Sequence, residues 1–360
     1  MNGKVIQGDC IKKMQELEEN SIDSIVSDPP YGLAFMGKCY HQDTDILTKE
    51  GWKNIKEITK DNLIASLNPD TFELEYVKIN KKFEYDYNNS LIHIEHRSAE
   101  QCVTPNHNVW YFTPNNNLIC KKARQLPNNL RLYNQIITSD EHTKVIKVAN
   151  KEFNANDFCY LLGLYLGDGY TVIRKGNRRN KIRDDNWWGF SVSKNRKVKV
   201  IKKAFERCGL NYNERFNESR DEFVFENTND ELIEYFRKIG KAKDKFIPRN
   251  ILSLPTSALK QLFNGIIDTD GHRQENMKNT KQITFSTVSE QLADDFQELC
   301  LKIGYSCIKN TRSRKVDFPK YTYKDSKIYR MSVLKSGKKL HLNNNRGKKN
   351  IKKREYKGKV

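Results

Sequence analysis

The sequence predicts a multidomain α+β protein in which an all-β part precedes a part with alternating helices and strands. From residue 39 to about 150, short β-patterns are separated by turn sequences such as Asn68-Pro69-Asp70, and few helical patterns occur. From about 151 to 345, helical and strand patterns alternate, and the segment repeats itself. One supersecondary unit used twice predicts a domain with internal pseudo-two-fold symmetry.

The repeat is centred on two nonapeptides. Residues 161–169 read LLGLYLGDG, and residues 263–271, which lie 102 positions later, read FNGIIDTDG. Each nonapeptide is followed by a Phe-Ser strand (Phe190, then Phe285), an amphipathic helix and a glycine (Gly209, then Gly304). The spacing from phenylalanine to glycine is nineteen residues in both copies. The apolar residues of these helices recur at the spacing of one buried face: Val198, Ile201, Phe205 and Cys208 in the first copy, Leu292, Phe296, Leu299 and Ile303 in the second.

The charge of the chain indicates a polyanionic partner. The 360 residues carry a net charge of +19, and residues 301–360 contain twenty Lys or Arg against three acidic residues. Basic clusters bind phosphates because neutralised phosphates release counterions; a solvated basic tail is the alternative for the last fifteen residues.

Charged residues make up 30% of the chain and mean hydropathy is −0.80. The sequence has no signal-peptide pattern and no membrane-spanning run, so we expect an intracellular protein. The eight cysteines form no CxxC pair, which predicts free thiols.

Each nonapeptide is predicted to end a helix with an aspartate. Gly163 and Gly167 lie four residues apart, as do Gly265 and Thr269, so each helix presents a small-residue face that lets two backbones approach closely. Asp168 and Asp270 then lie at helix C-termini, where the macrodipole disfavours a carboxylate by a few tenths to about 1 kcal/mol. A divalent cation between the two carboxylates would remove this penalty and their mutual repulsion. The alternative is a pair of capped core helices with acidic ends.

These nonapeptides resemble the signature of single-chain, two-motif LAGLIDADG homing endonucleases. The resemblance implies two αββαββα halves with the signature helices at their interface, and β-saddles laid over the major groove of a long site in double-stranded DNA. It places Asp168 and Asp270 at metal-binding positions, with Mg²⁺ as the expected ion, in a monomer. Lys245, in the sequence Lys-Phe-Ile-Pro, matches a family block near the cleavage centre and would stabilise charge on the phosphate. An exposed lysine without a catalytic role, and a decayed nuclease that only binds DNA, are the alternatives.

The β-rich part contains residue types that suit an N-to-S acyl shift. The Cys39 thiol can attack the carbonyl of Lys38, provided that a proton reaches the departing nitrogen and a donor holds the carbonyl oxygen. We expect His107 to supply the proton, and the Thr104 hydroxyl or a main-chain N–H to hold the oxygen. On spacing alone, a buried thiol and a structural histidine would be the ordinary interpretation.

Residues 39–52 and 103–107 resemble the first two sequence blocks of inteins. The resemblance implies the all-β Hint (hedgehog/intein) splicing fold, with Cys39 as the N-terminal nucleophile and with Thr104 and His107 as its activators. Residues 354–360 resemble the opening of the C-terminal splicing block. The sequence lacks the His-Asn pair and following nucleophile of the family, so we expect a truncated precursor that reaches a thioester at most. The expected division is 1–38 host fragment, 39–150 splicing region, 151–345 endonuclease and 346–360 start of the C-terminal splicing region.

The first 38 residues resemble part of a DNA amino-methyltransferase. After a predicted strand at residues 22–26, the sequence Asp28-Pro29-Pro30-Tyr31 is similar to the catalytic loop of that family. Asp28 and a prolyl carbonyl would hydrogen-bond the target amino group, while Tyr31 stacks on the flipped base. A simple turn is the alternative for this motif. S-adenosylmethionine is expected only for a complete methyltransferase, since these residues contain no glycine-rich cofactor pocket, and a working methyltransferase is a third interpretation of the whole chain.

Overall fold

The structure is a computed structural model that describes residues 10–18, 38–68, 70–71, 73–96, 99–113, 115, 117–127, 130–132, 143–174, 177–178, 181–182, 185–274, 282–314, 317–318, 321–322, 326–334, 340–342 and 351–360. The first described element is the short helix α1 (Cys10–Gln15). The predicted strand over 22–26 and the residues Asp28, Pro29, Pro30 and Tyr31 lie outside the described residues. Among the helices that are described, none has both the length and the apolar character needed to cross a membrane.

The first part of the chain is built from short antiparallel strands. Its first sheet, in the order β2-β1-β3-β4, contains β1 (Asp45–Thr48), β2 (Gly51–Asn54), β3 (Leu63–Leu67) and β4 (Leu74–Lys78). The next strands are β5 (Asp86–His96), β6 (Ala99–Val103), β7 (Asn108–Phe112), β8 (Leu118–Lys122) and β9 (Leu130–Leu132). A hairpin, β10 (Val145–Val148) with β11 (Lys151–Asn154), leads into the repeat. Short 3₁₀ turns occur at Ile55–Glu57 and Ala123–Gln125.

The repeat forms two halves with the same strand order. The first half contains α2 (Ala155–Asp168), β12 (Gly169–Arg174), β13 (Asn177–Arg178), β14 (Lys181–Ile182), β15 (Asp185–Val192), α3 (Asn195–Arg207), β16 (Asn213–Asn217), β17 (Glu222–Asn227) and α4 (Asp230–Ile239). After a 3₁₀ turn (Ala242–Asp244) and α5 (Arg249–Leu252), the second half contains α6 (Thr256–Thr269), β18 (Gly271–Gln274), β19 (Gln282–Thr287), α7 (Glu290–Lys302), β20 (Ser306–Arg314), β21 (Asp317–Phe318), β22 (Tyr321–Thr322) and β23 (Ser326–Leu334). The main sheets have the strand orders β12-β15-β17-β16 and β18-β19-β23-β20. Apart from the short hairpins, each half therefore has the element order α-β-β-α-β-β, and its four main strands pair in the same way.

The last strands of the chain return to the β-rich part. Strand β24 (Leu340–Leu342) pairs with β9, which places it at one edge of the sheet β24-β9-β7-β8. Strand β25 (Ile351–Lys359) pairs with β5 over its whole length, from Ile351 opposite Ile94 to Lys359 opposite Asp86. The β-rich part is therefore assembled from both ends of the chain, and the repeat is inserted between them.

Two hydrophobic cores correspond to these two parts. The larger one lies within the repeat and includes the helices α2, α3, α6 and α7. The predicted apolar faces of α3 and α7 are confirmed, because Ile201, Phe205 and Phe296 are fully buried. The smaller core lies between the sheets of the β-rich part, and Ile351 packs against it.

Candidate functional site

Helices α2 and α6 cross at their small residues. A Cβ atom added at Gly163 would lie 2.9 Å from the Cα of Gly265, and one added at Gly265 would lie 2.9 Å from the Cα of Gly163. One added at Gly167 would lie 2.7 Å from the Cβ of Thr269. These glycines are thus needed for close backbone approach, as their spacing predicts. The contact brings the C-terminal ends of the two helices together.

The two aspartates meet at these helix ends. Asp168 is the last residue of α2, and Asp270 directly follows α6 as its C-cap. Burial raises the pKa of the Asp270 carboxyl, and the nearby charge of Asp168 and a hydrogen bond with it raise this pKa further. The juxtaposition of carboxylates expected from the two nonapeptides is therefore present in the structure.

The donor set of this pair suits a hard divalent cation. Carboxylate oxygens are the ligands that Mg²⁺ and Ca²⁺ prefer, and a cation between the aspartates would offset the repulsion that raises the pKa of Asp270. Asp168 and Asp270 would hold the ion. The described residues include no larger group of three or more His, Cys, Asp or Glu placed to bind a metal, so oxygen ligands from water or substrate would have to complete the coordination.

Lys245 is buried beneath this site. Its Nζ donates to the carbonyl oxygens of Tyr165 (2.8 Å), Leu166 (3.1 Å), Gly167 (3.2 Å) and Gly169 (2.9 Å), at the end of α2. The side chain is 6% exposed, and burial lowers its pKa to about 8 against the opposing influence of the two aspartates. The alternative of an ordinary exposed lysine is therefore wrong: the ammonium group is buried and binds the carbonyls at the C-terminal end of α2, where a helix leaves its last carbonyls without intrahelical partners.

A cavity of about 660 Å³ opens beside the acidic pair. Asp270 and Lys245 contribute to its wall, together with Lys241, Ser286 and Thr287. Hydroxyl and ammonium donors next to carboxylates form a polar lining that can accept a phosphate group. The cavity thus offers space for a reacting group next to the proposed metal ligands.

Lys197 is a residue of this site that the sequence did not reveal. Its Nζ lies 2.5 Å from Oδ2 of Asp168, and the lysine side chain is only 13% exposed. It comes from the first turn of α3, which the sequence marks only as basic and amphipathic. Asp268 was likewise missed: it accepts a hydrogen bond from Tyr160 (2.8 Å) and pairs with Arg273 (3.0 Å), which joins the two signature helices outside the acidic pair.

The three residues predicted for splicing are also brought together. The N–H of Cys39 donates to Oγ1 of Thr104 at 2.9 Å, and the carbonyl of Cys39 accepts from the Thr104 N–H at 3.0 Å. His107 follows in a turn that is closed by a hydrogen bond from its N–H to the Thr104 carbonyl (3.0 Å). Thr104 is fully buried, so its hydroxyl is committed to the Lys38–Cys39 region.

The expected positions of Thr104 and His107 are exchanged. The Thr104 hydroxyl accepts from the nitrogen of the Lys38–Cys39 bond. His107 instead has a hydrogen bond with the Lys38 backbone, and this bond raises the pKa of the ring. A backbone group that raises the pKa of histidine is a carbonyl oxygen, because it accepts from the protonated ring. Burial is the larger influence and lowers the pKa of His107, so the ring is neutral near pH 7. Burial likewise raises the pKa of the Cys39 thiol. The structure thus brings the three predicted residues to the Lys38–Cys39 bond, with the Thr104 hydroxyl at its nitrogen, and their roles in splicing stay predictions.

One protein-family model matches part of this chain. Residues 258–347 match the family described as LAGLIDADG-like domain. In solved structures, the chain is similar to mesophilic variants of the homing endonuclease I-DmoI (12% identity, 50% of this chain, 88% of that chain, TM-score 0.34) and to the AceL NrdHF class 3 split intein (14% identity, 53% of this chain, 99% of that chain, TM-score 0.24).

Two curated relatives share most of this chain. The ATP-dependent DNA helicase Hel308 of Methanocaldococcus jannaschii is 25% identical over 301 residues, which cover 82% of this chain and 23% of the helicase. The ATP-dependent Clp protease proteolytic subunit of Chlamydomonas moewusii is 23% identical over 292 residues, which cover 74% of this chain and 28% of that subunit. The chain spans less than a third of the length of either relative.

Proposed function

We propose that the chain is an intein precursor that carries a site-specific DNA endonuclease and interrupts a DNA amino-methyltransferase. The observation that carries the nuclease assignment is the meeting of Asp168 and Asp270 at the ends of two helices in glycine contact. A binding module or a structural domain has no need for two carboxylates at one pair of helix C-termini, where both the macrodipole and their repulsion disfavour them.

The nuclease part would hydrolyse phosphodiester bonds in double-stranded DNA. Mg²⁺ held by Asp168 and Asp270 would polarise the phosphate and activate water for attack. Lys245 holds the end of α2 in place through its four carbonyl contacts, so it positions Asp168 rather than reaching the phosphate itself. Its proposed role in the site is therefore to position a metal ligand.

The sheets of the two halves would bind the DNA. In β23, Tyr329, Met331 and Val333 are buried in the core, whereas Arg330 is exposed on the other face of the sheet. Arg312, opposite Ile328 in the neighbouring strand, is exposed as well. Arginines on a sheet face suit contacts to phosphates and to guanine in the major groove. A monomer with two related halves would cover one long site inside the cell.

The splicing part would convert the Lys38–Cys39 peptide bond to a thioester. The Cys39 sulfur attacks the carbonyl carbon of Lys38, the carbon–nitrogen bond breaks, and the thiol proton is transferred to the departing nitrogen. Thr104 holds that nitrogen before the bond breaks, and His107 at the Lys38 backbone stabilises the carbonyl oxygen. Strand β25, which pairs with β5 beside these residues, supplies the C-terminal side of the splicing fold.

The two curated relatives support an inserted element. A DNA helicase and a protease subunit have no activity in common, yet both match most of this chain over less than a third of their own lengths. A segment that occurs in unrelated enzymes is expected of a mobile insert. Residues 1–38, with Asp28, Pro29, Pro30 and Tyr31, would then be host sequence, and S-adenosylmethionine would bind only the complete methyltransferase.

DNA cleavage tests the nuclease part. The substrate is a supercoiled plasmid that carries the host gene without the insert. In this insertion-free allele, the codon for Lys38 is followed directly by host sequence. We expect Mg²⁺-dependent linearisation that Asp168→Asn or Asp270→Asn abolishes. Asp221→Asn is the control, since it removes an exposed carboxylate in the turn between β16 and β17, which belongs to neither signature helix. Binding of this DNA without cleavage by the unmutated chain would assign a decayed, DNA-binding module.

Thiol-induced cleavage tests the splicing part. Incubation with a small thiol should release the segment that ends at Lys38, which mass spectrometry identifies, and Cys39→Ala should abolish the release. Cys120→Ala is the matched control because that cysteine is exposed and lies in β8, away from the reacting bond. Release that persists in Cys39→Ala would exclude Cys39 as the nucleophile, while DNA cleavage should be the same in all three proteins.

A further inference from the structure

The two halves of the nuclease part differ in charge where their second helices begin. The matching Phe-Ser strands and glycine turns of the two halves are both 95 residues apart, so Lys197 of α3 corresponds to Leu292 of α7. Helix α3 begins with Asn195, Arg196 and Lys197, whereas helix α7 begins with Glu290 and Gln291. The pseudo-two-fold symmetry of the backbone is therefore not a symmetry of charge.

This difference reaches the acidic pair. Lys197 extends from α3 to Asp168, with 2.5 Å between Nζ and Oδ2. Both side chains are largely buried, 13% and 17% exposed, so the ion pair is shielded from solvent. The neighbouring Arg196 donates to the Asp268 carbonyl of α6 at 2.9 Å, which fixes the first turn of α3 across both signature helices. Lys197 is thus held at the centre by the fold.

The second half has no such cation at the corresponding position. Leu292 is 1% exposed and belongs to the hydrophobic core. Lys245 does not replace it, because its ammonium group donates to four carbonyls at the end of α2. Among the residues that the structure describes, Asp168 has a lysine ammonium within hydrogen-bond distance, whereas Lys197 and Lys245 lower the pKa of Asp270 through their charge alone. The two carboxylates consequently differ in their hydrogen-bond partners, since only Asp168 is in contact with an ammonium group.

We propose that Lys197 is a positioning residue that acts through Asp168 and makes the two halves of the cleavage centre unequal, so that the two DNA strands are cut at different rates. The inference rests on the proposed nuclease function and deepens it. The ammonium group holds Oδ2 of Asp168 and so fixes the direction of the other carboxylate oxygen, which stays available to a cation. It also adds positive charge on the side of the strand whose phosphate lies next to Asp168.

The same charge has a measurable effect on cation binding. A positive charge in contact with a carboxylate weakens the attraction between that carboxylate and a divalent cation. Replacement of Lys197 by methionine should therefore strengthen the binding of Ca²⁺ at Asp168 several-fold, although it slows the reaction at that side. A residue with a purely structural role would change both properties in the same direction.

Strand-specific cleavage tests this inference. A duplex of the insertion-free allele, labelled differently on its two strands, is cut by the unmutated chain, Lys197→Met, Lys197→Arg and Lys199→Met in Mg²⁺. We expect one strand to be cut faster by the unmutated chain. Lys197→Met should slow that strand on the order of ten-fold or more and leave the other within about two-fold, as expected for loss of one charge at a reaction centre. Lys197→Arg should restore the preference.

Lys199→Met is the matched control, since Lys199 is an exposed lysine on the same helix and lies two residues from Lys197, so it points away from the centre. Calorimetric titration of Ca²⁺ into the same four proteins without DNA gives the second readout. Equal rates on both strands in the unmutated chain, equal slowing of both strands in Lys197→Met, or no tightening of Ca²⁺ binding would each overturn the inference. Failure of the unmutated chain to cut either strand would instead overturn the proposed nuclease function.

Discussion

The amide nitrogen of Cys39 donates a 2.9 Å hydrogen bond to the hydroxyl of Thr104, a residue 65 positions later that is fully buried. This bond joins Cys39, which lies six residues before β1, to Thr104, which directly follows β6, and the main-chain bond from the Thr104 N–H to the Cys39 carbonyl (3.0 Å) reinforces it. The hydroxyl thus determines where the nitrogen of the Lys38–Cys39 bond lies relative to the thiol.

Removal of the Thr104 hydroxyl should slow thiol-induced cleavage after Lys38. Thr104→Val keeps the shape but leaves the Cys39 N–H without its acceptor, at a cost of about 1–3 kcal/mol, which corresponds to roughly 5- to 150-fold in rate. Thr104→Ser should remain within a few-fold of the unmutated rate. Thr113→Val, in a turn after β7, is the control. Rates measured by mass spectrometry that are equal in Thr104→Val and the control would contradict this role.

Gly163→Ala should destabilise the nuclease part and separate the aspartates. Its methyl group would lie 2.9 Å from the Cα of Gly265, and backbone cannot move away without shifting a helix. Overpacking of this kind costs about 1–3 kcal/mol, and Gly265→Ala should cost a similar amount. Denaturant unfolding measures both, with Asn156→Ala, an exposed change in the first turn of α2, as the control. Unchanged unfolding free energies in both glycine variants would show that the helices are not in contact.

Lys245→Met should weaken the end of α2. The variant removes an ammonium donor from four carbonyl oxygens, of which the Tyr165 oxygen still accepts from the Gly169 N–H, so we expect the free energy of unfolding to fall by about 1–3 kcal/mol. DNA cleavage should fall further than stability alone explains, because Asp168 is at the end of the same helix. Lys243→Met, an exposed lysine two residues earlier, should change neither property.

Stability should depend on pH through Asp295. Burial raises the pKa of this carboxyl to about 6, from an unfolded value of about 3.9. The native state therefore holds the proton more tightly than the unfolded state between pH 4 and 6, and this group makes stability fall as pH rises through that window. The loss is about 3 kcal/mol at most for two pKa units.

Asp295→Asn should remove this pH dependence. The amide oxygen can still accept from the Ile247 N–H, which Asp295 binds at 2.8 Å, so the fold is kept. Thermal unfolding at pH 4 and pH 7 should show a smaller difference in the variant than in the unmutated chain. An identical pH dependence in both proteins would show that another group is responsible.

The sequence predicted those features that depend on local spacing or on repetition. The glycines four residues apart predicted the contact of α2 and α6, and the duplicated motif predicted two halves with one strand order. Cys39, Thr104 and His107 were identified by resemblance, and the structure brings them together. The atoms that each of them contacts could not be predicted, because spacing along the chain does not determine side-chain orientation.

Contacts between distant elements were not predictable. Arg249 donates to the carbonyl of Lys49 (2.9 Å), 200 residues earlier, and binds the fully buried Glu298 with two hydrogen bonds of 2.6 and 2.8 Å. Nothing local to these residues indicates this partnership between the β-rich part and the nuclease part. Lys197 was missed for a related reason, since its counterpart in the repeat is an apolar residue and a comparison of the two copies conceals it.

The pairing of β25 with β5 determines the order in which this protein can mature. The contact between Ile94 and Ile351 joins residues separated by most of the chain, and such non-local pairing forms late. During synthesis the helices of the repeat emerge and can fold before β25 exists, since domains fold as units behind the ribosome. The sheet beside Cys39 stays incomplete meanwhile. In the proposed splicing reaction, the nuclease part would thus be folded before the peptide bond at Lys38 is presented for attack, so the connectivity of the chain would prevent premature release of residues 1–38.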